Sequence, residues 1–269
     1  MTSGPEAVGP AALIADVAAA AGERMAPPGA GRVYRAGRRV RLSDVGPDGA
    51  VRLDAVARYL QDVATDDVRD AGVEDAVAWV VRRTTIVAPR RLRFGERVRL
   101  ATWCSGVGSA LAERRTSVTG EEGALVEAVA LWVSLDRETL RPAAVAEEHF
   151  EPYRQQAGGR RVRSRFLLAP APEGGIGRPW PLRDSDIDLF RHVNNVVSWT
   201  AVEEEALRRG PTEPPLWGQV EYRRPLDRAE TPAVVSRDGG GALDVWLLGA
   251  DGTAATSARL GPAVPPPGR

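Results

Sequence analysis

The chain has few of the side chains that build covalent or metal-bound scaffolds. Its 269 residues include one cysteine, Cys104, and two histidines, His149 and His192. A single cysteine cannot form an internal disulfide, which favours a reducing compartment. So few sulfur and imidazole ligands also argue against a metal site. We therefore expect a cytoplasmic protein that uses no metal or other cofactor.

Lysine is absent, so all 36 basic side chains are arginines, and 36 acidic side chains balance them. Zero net charge gives no argument for a nucleic-acid partner, which usually requires a basic face. Apolar runs are far shorter than the roughly 20 residues of a membrane-spanning helix. The remaining composition is that of a soluble globular protein. The length allows one large domain or two of about 130 residues.

The two ends of the chain differ from its middle. Residues 1–30 are rich in alanine, glycine and proline and lack the basic start and apolar core of a secretory signal, so we expect a weakly ordered arm. Residues 263–269 are expected to form a disordered tail.

One order of elements occurs twice in between. Apolar residues at three- and four-residue spacings predict helices over Leu53–Ala71 and Val193–Arg209, and Val33–Leu42 reads as a strand. Four β-rich segments follow each helix. They are Trp79–Pro89, Arg97–Ser105, Ala110–Thr119 and Ala124–Asp136, then Leu216–Arg224, Ala233–Ser236, Leu243–Gly249 and Ala254–Leu260.

The repeat, with a period of about 140 residues, indicates a duplicated α+β unit. We expect each helix to be followed by an antiparallel meander, and the two sheets to join edge to edge. The expected boundaries are 31–150 for the first unit, 151–161 for a polar linker and 162–262 for the second. Two unrelated α+β domains are the alternative, while an αβα sandwich is disfavoured because strands do not alternate with helices.

The densest polar cluster lies just before the second helix, over residues 184–195. A helix start offers free N–H groups that can hold an oxyanion, and an adjacent carboxylate or imidazole can activate water. Capping of the helix by Asp or Asn is the structural alternative.

The cluster resembles the signature of hotdog-fold thioesterases, in the pattern from Arg183 through Asp188 and His192 to Asn195. Further stretches, in the same order, resemble those of two-hotdog acyl-[acyl-carrier-protein] thioesterases and extend the likeness over residues 32–260. They are Leu60-Gln61, residues 79–83, Gly95, residues 102–106, residues 131–142 and residues 220–224.

The resemblance implies two tandem hotdog units, each a long central helix wrapped by an antiparallel sheet, joined into one continuous sheet. The first unit would shape an acyl pocket and the second would carry the chemistry. The implied activity is hydrolysis of a fatty acyl thioester on acyl carrier protein. Asp188 would be the general base, or would orient His192 in that role. Asn194 and Asn195 would hold the loop and helix start, where N–H groups near Val196 polarise the carbonyl.

The chain departs from the family at three positions. Phe190 stands where the family commonly has Asn, and Pro225 and Leu226 replace a Glu-Cys pair of plant members. These departures disfavour a cysteine nucleophile and leave activation of water by Asp188 and His192. Possible second carboxylates are Glu203, Glu204, Glu221 and Asp227, although a solvated helix face would explain the first two.

Side chains expected to line the acyl pocket are Trp79, Trp103, Phe190 and Val196, although the tryptophans also suit a protein core. Arginine pairs on the strands either form a solvated sheet face or dock an acidic carrier protein. The rival functions are an acyl-CoA thioesterase, a double-hotdog hydratase or dehydratase, and a non-catalytic acyl-binding protein. A monomer and a homodimer both remain open, and no nucleic-acid or membrane partner is expected.

Overall fold

A computed structural model describes residues 27–73, 78–136, 138–139, 141–175, 177–210, 214 and 216–262. The expected tail and nearly all of the expected N-terminal arm lie outside these residues.

Three α-helices occur in the described chain: α1 (Leu53–Asp70), α2 (Glu147–Ala157) and α3 (Val196–Leu207). The first and third match the helices predicted from periodicity. The apolar positions of α1 that set this periodicity are buried, including Val56, Leu60 and Val63. The second helix occupies much of the range expected to be a linker. It ends at Gly158, which has the left-handed conformation common at helix ends (φ 56°).

Ten strands form one antiparallel sheet. They are β1 (Tyr34–Arg39), β2 (Ala78–Arg90), β3 (Arg97–Val107), β4 (Leu111–Gly120), β5 (Leu125–Leu135), β6 (Arg178–Pro179), β7 (Leu216–Tyr222), β8 (Ala233–Asp238), β9 (Leu243–Leu248) and β10 (Ala254–Pro262).

The order of the strands shows the duplication directly. Across the sheet it is β1-β3-β4-β5-β2-β7-β10-β9-β8-β6, so each half has the same order when counted from its outer edge. The halves meet where β2 pairs antiparallel with β7, with Thr84 opposite Val220. The prediction of two similar units joined edge to edge is therefore confirmed.

The expected meander is only partly correct. Strands β3, β4 and β5 are consecutive neighbours, but β2 pairs with β5 and β7 instead of β3. Residues 91–96 cross the end of the sheet between β2 and β3. On the way they support the loop before α1, because Leu92 O accepts the N–H of Val51 at 2.9 Å.

The helices α1 and α3 contact each other and pack against one face of the sheet in a single apolar core. Trp199 of α3 and Tyr59 of α1 are fully buried in it. The chain after α2 runs across strands of both halves: Arg160 O accepts the N–H of Val107 at 3.0 Å, and Ala169 O accepts the indole N–H of Trp246 at 3.1 Å. Within the described chain, the helices lack the length and hydropathy of a membrane-spanning segment.

Candidate active site

The loops before α1 and α3 have the same backbone structure, although their sequences differ. Asp44 O accepts the N–H of Arg52 at 2.9 Å, and Asp186 O accepts that of Asn194 at 2.8 Å. The buried Asp186 carboxylate also accepts the N–H of Arg183 at 2.8 Å, as Asp44 does for Arg41. The predicted polar cluster therefore lies in one of two loops that share a backbone structure, one in each unit.

The Asp188 carboxylate stabilises the turn that contains His192. Its Oδ1 accepts the backbone N–H of Phe190 at 2.9 Å and of His192 at 3.3 Å. Arg191 between them has φ 64°, the only non-glycine residue of the described chain with a positive φ, where the other loop has Gly49. No hydrogen bond joins the Asp188 and His192 side chains in the described chain. The Asp188 carboxylate thus acts on the backbone of this loop.

The connection between β7 and β8 lies alongside this turn. Leu226 O accepts the N–H of Val193 at 3.0 Å, and His192 forms an antiparallel bridge with Asp227. Directly paired residues in antiparallel strands carry their side chains on the same side, with Cβ atoms about 5 Å apart. Asp227 is therefore a carboxylate beside His192. The equivalent bridge before α1 joins Ala50 to Arg93, so that loop lacks both groups.

The two helix starts differ in one backbone N–H group. At α1, the N–H of Leu53 donates to the Glu203 carboxylate at 2.9 Å. At α3, the equivalent N–H belongs to Asn195, and it has no acceptor in the described chain. The next N–H, that of Val196, is bound by Asn194 Oδ1 at 3.1 Å, and the hydroxyl of Tyr222 donates to Asn195 O at 3.3 Å. A free donor at a fixed helix start can receive a carbonyl oxygen.

Glu203 reaches from α3 into the first unit and is 6% exposed. Burial raises the pKa of this carboxyl to about 7, against the lowering effects of the Leu53 N–H and of Arg91, 3.6 Å away. Its neighbour Glu204 is exposed, as a solvated helix face requires. Glu203 therefore fills the helix start of the first unit and is not a carboxylate at the α3 site.

A narrow pocket, about 410 Å³ when the open solvent at its mouth is included, is lined in part by Asn195. Its walls come from α1, α3 and four adjacent strands, β7, β2, β5 and β4. At about 4.8 Å between strands, it extends roughly 14 Å across the sheet. The lining residues are Ala57, Leu60, Gln61, Val81, Thr84, Arg114, Thr116, Ala128, Ala130, Trp132, Asn195, Val196, Trp199 and Tyr222.

The residues predicted for the pocket and the chemistry fall into two groups. Asn195 and Val196 line the pocket. Asp188, His192 and Asn194 belong to the loop that leads into α3. The other three predicted lining residues lie elsewhere. Trp103 is 1% exposed, Trp79 packs edge-to-face on Phe150 at 6.1 Å, and Phe190 is 65% exposed.

Most of the pocket wall was not predicted from sequence. Gln61 of α1 occupies the place in the first unit that Glu203 has in the second, so aligning the two units would have pointed to it. Arg114 and Trp132 could not be identified in this way, because only the strand order and register show which face of the sheet they line.

The arginine pairs are largely used inside the fold. The guanidinium groups of Arg82 and Arg223 stack on Phe166 at 4.1 and 4.3 Å, and Arg224 pairs with Glu230 at 2.8 Å. Glu221, another candidate carboxylate, accepts the N–H groups of residues 167 and 168 at 2.6 and 3.2 Å. These side chains fasten the long connection to the sheet.

Comparison with known proteins agrees with this architecture. Residues 31–153 match the family model of the acyl-ACP thioesterase N-terminal domain. A Mycobacterium tuberculosis H37Rv protein of uncharacterised function is 29% identical over 204 residues, covering 76% of this chain and 82% of the relative. The chloroplast palmitoyl-acyl carrier protein thioesterase of Arabidopsis thaliana is 26% identical over 197 residues, which cover 63% of this chain and 46% of that one.

Solved structures extend the likeness over both units. The 12:0-ACP thioesterase of Umbellularia californica superimposes with a TM-score of 0.68 at 20% identity, over 85% of this chain and 96% of its own. An acyl-ACP thioesterase of Bacteroides thetaiotaomicron gives 0.69 at 16% identity, with the same coverage.

Two helices against one continuous sheet, with a repeated strand order, define an α+β protein of the double hotdog fold. Within that class, the similarity in sequence is to acyl-ACP thioesterases, through the family model that matches the first unit, residues 31–153, and through the plant relative.

Proposed function

We propose that this chain is a thioester hydrolase that releases a fatty acid from acyl carrier protein, with water as the second substrate. The observation that carries the proposal is the free N–H of Asn195, a residue of the pocket wall at the start of α3 beside the His192 loop. In the first unit the equivalent N–H is bound to Glu203, so the molecule has one site of this kind in its described chain.

The thioester carbonyl would accept the Asn195 N–H, with the acyl chain in the pocket between α1 and the sheet. Charge that develops on this oxygen is stabilised by a donor already fixed in place and by the positive end of α3. His192 would take the proton from the attacking water. Asp188 supports the turn that holds His192, through its two backbone hydrogen bonds.

Asp227 is the second carboxylate in this proposal. Its direct pairing with His192 suits a group that orients the imidazole and stabilises its protonated form. The substitution Asp227→Asn should lower kcat by about tenfold or more in the wild-type background. In a His192→Ala background it should have no further effect, because the two residues act as one unit. Equal losses in both backgrounds would remove Asp227 from the mechanism.

The activity is tested by thiol release from matched acyl-carrier-protein and acyl-CoA thioesters over several chain lengths. We expect His192→Ala to reduce kcat by about a hundredfold or more while the protein stays folded. The exposed Glu204→Gln is the matched control and should leave the rate unchanged. Turnover on CoA alone would identify an acyl-CoA thioesterase. Binding of both series without turnover would identify an acyl-binding protein, a function compatible with Phe190, Pro225 and Leu226.

Two substitutions distinguish the two possible roles of Asp188, support of the loop and action as the general base. An asparagine oxygen can accept the same two backbone N–H groups, whereas alanine cannot. If Asp188 only supports the loop, Asp188→Asn keeps most of the activity and Asp188→Ala loses it. If Asp188 is the general base, both substitutions reduce kcat by a similar large factor.

The proposed partner is an acidic acyl carrier protein that docks near the helix start of α3, and we place the reaction in the cytoplasm. We infer the compartment from the single cysteine, Cys104, which cannot form an internal disulfide.

A further inference from the structure

The pocket wall is more polar than a saturated fatty acyl chain requires. Eight of its fourteen lining residues carry a polar side-chain group, whereas pockets for apolar ligands use few such groups. The eight include Gln61 on α1, Arg114 on β4 and Trp132 on β5.

Trp132 provides a donor that the fold does not use. Its indole nitrogen Nε1 is buried and has no hydrogen-bond acceptor in the described chain. Trp246, by contrast, donates its indole N–H to Ala169 O at 3.1 Å. A buried donor left unpaired is unfavourable, so a ligand that supplies an acceptor gains binding free energy there.

Arg114 adds a fixed charge at the β4 side of the pocket, three strands from Tyr222. Its Nη1 donates to the buried carboxylate of Asp67 at 2.6 Å, and Asp67 also binds Arg32 at 2.7 Å. A terminal methyl group gains little next to this ion-paired network, because the charged groups keep their need for polar neighbours. Gln61, which has no side-chain hydrogen bond in the described chain, contributes a further amide on the α1 side.

We propose that the preferred substrate carries an oxygen on its acyl chain, as a hydroxyl or carbonyl group that accepts the Trp132 indole N–H. This inference rests on the proposed thioester hydrolysis and specifies which kind of acyl chain the same site prefers. A site built around a hydrogen-bond donor discriminates against the analogue that lacks the acceptor, because the donor is then buried unpaired. The preference is therefore for oxygenated over plain chains of equal length.

The test compares carrier-protein thioesters of one chain length that are unsubstituted, 3-hydroxy, 3-oxo or terminally hydroxylated. At least one oxygenated thioester should exceed the plain one in kcat/KM by about tenfold or more. Trp132→Phe keeps the ring and removes the N–H, so it should remove this ratio by slowing the oxygenated substrate alone. Trp246→Phe, on a tryptophan whose N–H is satisfied by Ala169, should leave the ratio unchanged.

Binding of the non-hydrolysable thioether analogues is measured in parallel. If no thioester is hydrolysed but the oxygenated analogue binds more tightly in a Trp132-dependent way, the proposed hydrolysis is wrong and the preference for oxygenated acyl chains is supported. If thioesters are hydrolysed without any preference for oxygen, or with a preference that Trp132→Phe does not change, the inference about the acyl class is overturned while the hydrolase remains.

Discussion

Glu203 and Gln61 occupy equivalent places in the two units, and this one difference separates a filled helix start from an open one. The carboxylate of Glu203 binds the N–H of Leu53 at 2.9 Å, whereas Gln61 lines the pocket next to Asn195. The repeated unit has two helix starts, and only that of the first unit is bound by a side chain from the opposite helix in the described chain.

The buried Glu203 makes stability depend on pH. Its pKa is about 7 in the folded chain and close to 4.5 when exposed, so folding favours the protonated carboxyl. Its stabilising contribution is complete below pH 4.5 and is lost as pH rises through about 7. Glu203→Gln, which stays neutral and keeps an acceptor for Leu53, should exceed wild type in unfolding free energy by up to about 3 kcal/mol at pH 8.

Urea denaturation at pH 4.5 and pH 8 checks this prediction. The difference between variant and wild type should almost vanish at the lower pH. Glu204→Gln, on the exposed side of the same helix, is the control and should follow wild type at both. A Glu203→Gln curve parallel to wild type across the range would show that this carboxyl does not titrate near neutrality.

At the scale of elements, the loop before α3 contains a strained residue that its counterpart avoids. Arg191 has φ 64° and the equivalent Gly49 has φ 75°, a region that costs a side-chain-bearing residue about 1–2 kcal/mol. The strained position lies between Asp188 and His192, the two residues of this loop to which the proposed function assigns roles.

Opposite substitutions in the two loops should therefore have opposite effects. Arg191→Gly should raise the unfolding free energy by up to about 1 kcal/mol, because relief of strain exceeds the entropy lost from the unfolded chain. Gly49→Ala should lower it by about 1 kcal/mol, since no atom lies within 4 Å of the added methyl group and strain alone acts. Chemical denaturation measures both, and equal signs for the two variants would contradict the equivalence of the loops.

At the scale of the whole molecule, the two units share one sheet and one core. The β2–β7 pairing joins them, Thr85 donates to Gln219 across that seam at 3.1 Å, and Glu203 crosses to α1. Elements connected in this way should unfold together, so we expect a single cooperative transition.

Gly218 on β7 tests the coupling at the seam. A methyl group there would lie 3.0 Å from the ring of Trp199 and 3.1 Å from Leu260, both buried. Gly218→Ala should destabilise the whole molecule by about 1–3 kcal/mol and shift the transitions of both units equally, as seen by two spectroscopic probes. Gly37→Ala on the outer strand β1, where the nearest atom is 3.8 Å away, is the control and should be nearly neutral. Separate transitions in the first variant would contradict one cooperative unit.

The sequence by itself determined most of the elements and located the candidate loop before α3. Periodicity placed the bounds of α1 to within one residue and those of α3 to within three, since a helix face that packs on a sheet must repeat every three to four residues. The cluster at Asp188 and His192 could be located because its spacing is local, and the resemblance gave it a role. Helix α2 was missed because its polar, proline-containing sequence resembles a linker.

Only the tertiary structure decided which groups meet. Asp227 comes beside His192, and Arg114 and Trp132 face the same pocket, through pairings between segments far apart in the chain. Trp79 and Trp103, which sequence placed at the pocket, lie elsewhere because Trp103 belongs to β3, which contributes no residue to the pocket wall, and Trp79 packs on Phe150 of α2. Long-range register is set by the packing of the whole sheet, and local sequence carries too little of that information.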